Sequence, residues 1–213
     1  MKQTTARSLR TGFSALALAV AVTAVGAQDH SHHGQHEQAA KPPGTVRIKL
    51  PDTALTDQHG KTARFKSDTV ADRLVLINFI YTTCTTVCPV QSALFADLQQ
   101  RLGDRVGREV SMISVTVDPL RDTPMRLKEF AAQYKAGPGW RFLSGSKQAV
   151  DEVLTAFGVY TPNFADHPAV VLVGDPRSGE WTRFFGFPSS DQLMARVKQL
   201  QATRQGSPLA QYN

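Results

Sequence analysis

The chain has 213 residues, 24 Lys and Arg against 18 Asp and Glu, and a formal charge of +6. Three of the basic residues fall in an N-terminal export segment, and without it the balance is 21 against 18, too even for a nucleic-acid footprint. With two cysteines in all, the chain lacks the second pair that a four-ligand zinc site normally uses, and it cannot be a multi-disulfide scaffold.

Residues 1–27 read as a secretory signal. Lys2, Arg7 and Arg10 charge the start, an apolar run follows from Phe13 to Val25, and Val25-Gly26-Ala27 is a small-residue cleavage site. The apolar run is shorter than the roughly 20 residues of a spanning helix. An uncleaved anchor is the alternative, and a mitochondrial presequence is disfavoured because the segment is apolar rather than Arg-rich. No cysteine lies near the cleavage site, which excludes lipid attachment there. The expected location is the periplasm, with any membrane association through an uncleaved N-terminus. Residues 28–44 form a His-rich linker, in which His30, His32, His33 and His36 sit among polar residues with nothing to drive packing. It is either a lure for Cu(II), Ni(II) or Zn(II) or a soluble spacer.

The folded domain is expected over 45–204, with 205–213 a C-terminal tail. Residues 45–50 alternate as a strand, and Thr56-Asp57-Gln58-His59-Gly60-Lys61 turns into a short strand near 63–65, giving an N-terminal β-hairpin. The run 74–80 has the length and β-branched content of a buried strand. Val90, Leu94, Leu98 and Leu102 mark an apolar seam on a helix that reaches about 102, with Pro89 in its first turn. Strand 109–117 follows. Thr123 then caps a helix whose first residue is Pro124 and which runs to about 134. Gly137-Pro138-Gly139 breaks the chain before Trp140 and Phe142, and a short helix covers about 147–157. The polar loop 161–168 leads into strand 169–173, a turn at 175–179 and a strand 180–187 expected as its antiparallel neighbour. A final helix, 189–203, turns Leu193, Val197 and Leu200 inward. The order strand, helix, strand, helix, short helix, strand, strand, helix is that of an α/β thioredoxin-like fold, a mixed sheet flanked by helices.

Both cysteines lie at the first strand-to-helix junction, in Tyr81-Thr82-Thr83-Cys84-Thr85-Thr86-Val87-Cys88-Pro89. The positive end of a helix favours thiolate over thiol and makes sulfur a better nucleophile or metal ligand. At this spacing the pair can close a disulfide or direct two sulfurs at one soft ion, and two thiolates with an imidazole suit copper. The plain alternative is a structural disulfide, but so short a loop removes little unfolded-state entropy.

Three ordered motifs carry a family resemblance: Thr83-Cys84-Thr85-Thr86-Val87-Cys88-Pro89, the run Ser114-Val115-Thr116-Val117-Asp118-Pro119-Leu120-Arg121-Asp122-Thr123-Pro124, and Asp166-His167 before a strand. Together they resemble the Sco/SenC copper chaperones over about 45–203. The resemblance implies a thioredoxin-like fold, copper as Cu(I) or Cu(II), and Cys84, Cys88 and His167 as ligands. It further implies a metallochaperone that delivers copper to the dinuclear centre of cytochrome c oxidase, reduces the cysteines of that centre, or does both. The implied partners are the copper-bearing oxidase subunit and other periplasmic copper chaperones or thiol oxidoreductases, and no nucleic acid. The rival reading is a metal-independent thiol-disulfide oxidoreductase with Cys84 and Cys88 as its redox pair.

Smaller expectations surround these residues. Asp166 is read as an acceptor that orients the His167 ring, or as a plain loop carboxylate. Asp118 and Asp122 are read as a turn and helix-start pair, with partner contact or a place in the metal shell as the alternative the resemblance implies, while Tyr81, Phe79 and His59 are read as packing and turn residues. Pro168 departs from the family pattern and is expected either as a cis-proline facing the thiols or as the residue that holds His167 extended. One ion touching both sulfurs and the imidazole requires the three atoms to come within about 4 Å, with the His167 loop free to close on the metal.

Overall fold

The computed structural model describes residues 43–206. The predicted signal 1–27, nearly all of the His-rich linker and most of the C-terminal tail lie outside the described residues.

The two seven-residue apolar runs lie side by side at the centre of the sheet. Leu74–Ile80 forms β4 and Val110–Thr116 forms β5, paired in parallel from Leu74↔Val110 to Ile80↔Thr116, with every residue of both buried. A strand covered on both faces reads as a continuous apolar run rather than an alternation, and these two do. On the other flank of β4 lies antiparallel β7, Val170–Asp175, and β8, Glu180–Phe185, pairs antiparallel with β7 as expected. The tight ladder between them demands a glycine: a Cβ on Gly174 would stand 2.1 Å from Cδ2 of its partner Trp181.

With β1 (Gly44–Arg47), β2 (Ala54–Asp57), β3 (Thr62–Arg64) and β6 (Trp140–Ser144), the full order is β1-β8-β7-β4-β5-β6-β2-β3. Its inner part, β5-β4-β7-β8 with a helix between β4 and β5, is the thioredoxin-like arrangement. Helices α1 (Val87–Leu102), α2 (Pro124–Gln133) and α4 (Ser190–Gly206) share a core with Leu74, Leu76 and Ile80 on one face of β4. Helix α3 (Lys147–Ala156) packs on the other face, with Val75, Ile77 and Phe79. Leu193, Val197 and Leu200 of α4 are buried, and the Thr123 side chain accepts the Arg126 N–H with Pro124 at the first helical position. No helix among the described residues is long and apolar enough to cross a membrane.

Four local expectations are corrected. The first strand, β1 (Gly44–Arg47), is shorter than 45–50 and pairs with β8 at the opposite edge from the hairpin. The hairpin itself is β2 (Ala54–Asp57) with β3 (Thr62–Arg64). Pro51, with no N–H to donate, separates β1 from β2. Phe65 is no longer strand: it starts a single π-helical turn, Phe65–Val70, that buries Phe65 and Val70. Trp140–Ser144, assigned to no element from sequence, is strand β6, parallel to β5. The buried face of α1 is Cys88, Gln91, Ser92, Phe95, Leu98 and Leu102, while Val90 is 51% exposed. A strict four-residue step rotates about 40° per step around a 3.6-residue helix, so a seam traced from Leu102 back to Val90 leaves the core.

Candidate metal centre

Strand β4 delivers the cysteine loop to the end of the sheet. The Cys84 N–H returns to the Tyr81 carbonyl at 3.1 Å, which folds residues 81–84 into a turn just before α1. Thr86, at the N-cap of α1, offers no side-chain bond to the helix. The Cys84 sulfur takes that role, accepting the Cys88 N–H at 3.4 Å. An N–H of the first turn has no partner inside the helix, so the sulfur satisfies a donor that would otherwise be orphaned. Pro89, also in the first turn, has no N–H to satisfy.

Both cysteines are free thiols, Cys84 8% exposed and Cys88 fully buried. Their environments drive them apart. Burial raises the Cys84 pKa, but hydrogen bonds from the Cys88 thiol, the Cys88 and Thr86 N–H groups and the Tyr81 hydroxyl outweigh it and bring it down to about 7. Deeper burial, the bond its thiol gives to Cys84 and the nearby Cys84 and Asp122 charges push Cys88 up to about 12. The pair therefore loses one proton near neutrality and holds the second, with Cys88 donating to the Cys84 thiolate.

His167 stands on the facing loop, half-buried, with extended backbone (φ −61°, ψ 141°) ahead of Pro168. Among the described residues no peptide bond is cis, so Pro168 holds His167 extended rather than turning a cis bond to the thiols. The His167 Nδ1 lies 2.8 Å from the Phe164 carbonyl. A carbonyl only accepts, so Nδ1 carries a proton, and in the neutral ring that a ligand requires the lone pair then lies on Nε2. The ring is oriented by that carbonyl and not by Asp166, whose carboxylate accepts from the Asn163 amide at 3.0 Å.

The three candidate ligands are only partly assembled. Cys84 and Cys88 meet, but among the described residues no group of three or more His, Cys, Asp or Glu side chains stands close enough to hold an ion. Tyr81 links the two halves. Its hydroxyl bonds Cys84, and its ring meets the His167 ring edge-on at 5.8 Å and the Phe164 ring at 5.2 Å. Local bonds of the 161–167 loop set the His167 position, including Thr161 Oγ1 to the Asn163 carbonyl at 2.8 Å.

Two residues do more than sequence reading assigned. Tyr81, read as packing, touches both the thiolate and the imidazole. Asp122, read as half of a turn pair, is 1% exposed and accepts from the Thr82 N–H at 3.1 Å, from the Thr82 hydroxyl and from the Thr116 hydroxyl. It ties the cysteine loop to the end of β5. Asp118 keeps the expected turn role: its carbonyl accepts the Arg121 and Asp122 N–H groups, and its carboxylate pairs with Arg121 at 3.2 Å. His59 is exposed in the β2–β3 turn. Spacing does not reveal either role in full, because the Asp122–Thr82 and Tyr81–His167 contacts join residues distant in sequence.

A facing thiolate, thiol and imidazole form a soft donor set that suits Cu(I), with the imidazole extending it to Cu(II). The SCO1/SenC family model matches residues 49–202. A SCO1 homolog of Bacillus subtilis is 38% identical over 94 residues, which are 44% of this chain and 47% of that relative, so the alignment spans about half its length. The copper-bound structure of ScoI from Bradyrhizobium japonicum is 28% identical with a TM-score of 0.58, covering 72% of this chain and 99% of that one. The structure of BsSco, described as having a disulfide switch and as a member of the Sco family of cytochrome c oxidase assembly proteins, is 27% identical. Its TM-score is 0.60, over 73% of this chain and 95% of that one.

Proposed function

The chain belongs to the SCO1/SenC family, and from that premise we propose that it is a periplasmic metallochaperone that carries one copper ion on Cys84, Cys88 and His167. Its cargo serves the dinuclear copper site of cytochrome c oxidase. The observation that carries this reading is the Cys84 sulfur, with a pKa of about 7 and bonded by the Cys88 N–H at 3.4 Å, facing a histidine whose Nε2 lone pair is free. Copper binding takes the last proton from Cys88 and brings the 161–167 loop inward, so that His167 completes the set. Export rests on the predicted signal, and the four linker histidines gather additional ions for the domain.

A second reading rests on the separation of the two thiols. A nucleophile with a pKa near 7 beside a buried protonated partner is the arrangement of a thiol reductant. The Cys84 thiolate attacks one sulfur of a partner disulfide, forms a mixed disulfide and expels a partner thiolate. Cys88 then gives up its proton and attacks Cys84, releasing the second partner thiolate and leaving Cys84–Cys88 oxidised by two electrons.

Copper titration of the purified reduced protein, parent and His167→Ala in parallel, separates these readings. The chaperone reading expects one ion held in the domain, with Cu(II) affinity and spectra altered in His167→Ala. No uptake, or identical Cu(II) behaviour of the two proteins, removes His167 from the site. Disulfide reduction undiminished in His167→Ala then supports the second reading. Deleting 28–40 is expected to lower total metal capacity and spare the tight site. Unchanged stoichiometry would make the tail a spacer.

A further inference from the structure

The end of the sheet opposite the cysteines, where the three parallel strands begin, carries a second charged feature. Arg73 immediately precedes β4, Ser111 is the second residue of β5, and Arg141 is the second residue of β6. Arg73 donates through Nε to the Ser111 hydroxyl at 2.6 Å and through Nη2 to the Thr69 and Asp68 carbonyls at 2.8 and 3.3 Å. Every one of these acceptors is uncharged. Among the described residues the Arg141 side chain makes no hydrogen bond or ion pair. Arg73 and Arg141 both line one open cavity of about 280 Å³, together with Val106, Gly107, Ser111, Pro138 and Gly139.

Two like charges in one concavity repel each other, and burial together with the Arg141 charge lowers the Arg73 pKa. The surrounding carboxylates do not relieve this: Asp72 and Glu109, which line another cavity with Arg73, pair with Arg177 and Arg105. Asp57 and Asp68 border an adjoining cavity of about 340 Å³ that Arg141 and Lys61 also line. The Asp57 carboxylate is turned to the His59 and Lys61 N–H groups at 2.9 and 3.0 Å, and that of Asp68 to the Arg64 N–H at 2.9 Å. Neither forms an ion pair with Arg73 or Arg141. The local charge calls for an anion from outside the chain.

We propose that Arg73 and Arg141 form a phosphate-binding site at the base of the sheet, taking either free inorganic phosphate or the phosphoryl group of a lipid headgroup. Arg141, whose side chain has no partner among the described residues, and the one guanidinium nitrogen of Arg73 that its three bonds leave over supply positive charge and donors for the oxygens of a phosphate, whether a near-dianionic free ion or the singly charged diester of a lipid. The site is independent of copper, since it lies at the other end of the same strands from Cys84.

The test compares the full protein with Arg141→Gln, a substitution that breaks no bond in the fold. Melting temperature is followed against inorganic phosphate at ionic strength matched with chloride. Co-sedimentation is measured with vesicles of phosphatidylglycerol and of phosphatidylcholine. The parent is expected to show a saturable rise in Tm with phosphate, its midpoint moved to roughly tenfold higher phosphate in Arg141→Gln. Capture of the parent and not the variant by phosphatidylglycerol vesicles, with free phosphate inert, also upholds the site and assigns it to lipid. No response to phosphate beyond chloride together with no vesicle capture, or equal responses of parent and variant, overturns it. Copper uptake is expected to be the same in both proteins, so this result stands apart from the copper titration.

Discussion

The Cys88 N–H donates to the Cys84 sulfur at 3.4 Å, so one sulfur both caps helix α1 and receives the hydrogen bond of the neighbouring thiol. The fold thereby exploits an unsatisfied helix terminus to favour a thiolate, and this makes the pair unequal before any metal arrives.

That inequality is directly measurable. Alkylation by iodoacetamide follows the thiolate fraction, so the apo protein should react at Cys84 with a rate that is half-maximal near pH 7 and flat above it. Cys88, pushed up to about 12 and fully buried, should stay unmodified through the neutral range. Mass spectrometry of peptides after a short pulse at several pH values reads both sites. Equal labelling of the two cysteines, or a midpoint near the ordinary thiol value, would contradict the geometry.

Asp122 predicts a stability effect. Its carboxylate accepts from two hydroxyls and one N–H while 1% exposed, so Asp122→Ala leaves three donors without their acceptor. The expected loss is roughly 2–4 kcal/mol in urea unfolding, from buried donors left unpaired. Asp122→Asn should rescue only part of it, because its NH2 group faces donors and cannot accept. Removing the charge also relieves Cys88, so the second thiol should titrate lower in either variant.

Much of this architecture could be read from sequence, and the remainder shares one physical character. Leu74–Ile80 and Val110–Thr116 were legible because central parallel strands are apolar on both faces. Thr123-Pro124 was legible because a helix cap is a local motif. What escaped depends on distant partners. The edge that β1 joins is decided by β8, 133 positions away at the Val46↔Trp181 and Arg47↔Glu180 end of the ladder, counted from Arg47 to Glu180. Likewise Thr82 meets Asp122 across 40 positions. The His167 loop is set by its own internal bonds, so a metal-ligand motif can name the histidine without fixing its distance from the thiols.

Acid stability should depend on Asp175. Burial raises its pKa, but the Arg204 bonds at 2.6 and 2.8 Å and the Arg177 N–H outweigh burial, so the folded value lies below the ordinary one. A depressed carboxyl stabilises the fold above its unfolded pKa of about 3.9 and loses that contribution as pH falls through the folded value. Arg204→Ala leaves a carboxylate that is 4% exposed without its cation, with an expected loss of roughly 2–4 kcal/mol at pH 7. Unfolding free energies of parent and variant should converge as pH drops below about 4. A constant gap down to pH 2 would show that Arg204 acts by packing alone.

Tyr81 offers the sharpest division between proton chemistry and loop placement, because its two ends do different things. The hydroxyl donates to Cys84 and helps lower that thiol, while the ring packs edge-on against His167 at 5.8 Å and Phe164 at 5.2 Å. Tyr81→Phe removes the hydroxyl alone. The Cys84 alkylation midpoint should move to higher pH, and Cu(II) spectra should stay close to those of the parent because the ring still braces the histidine loop. Tyr81→Ala removes both, so it should raise the midpoint similarly and also weaken Cu(II) binding in the manner of His167→Ala. If Tyr81→Phe leaves the midpoint in place, the hydroxyl does not stabilise the thiolate. If Tyr81→Ala binds Cu(II) as tightly as Tyr81→Phe, the aromatic contact plays no part in presenting His167, and closure of the loop rests on the metal alone.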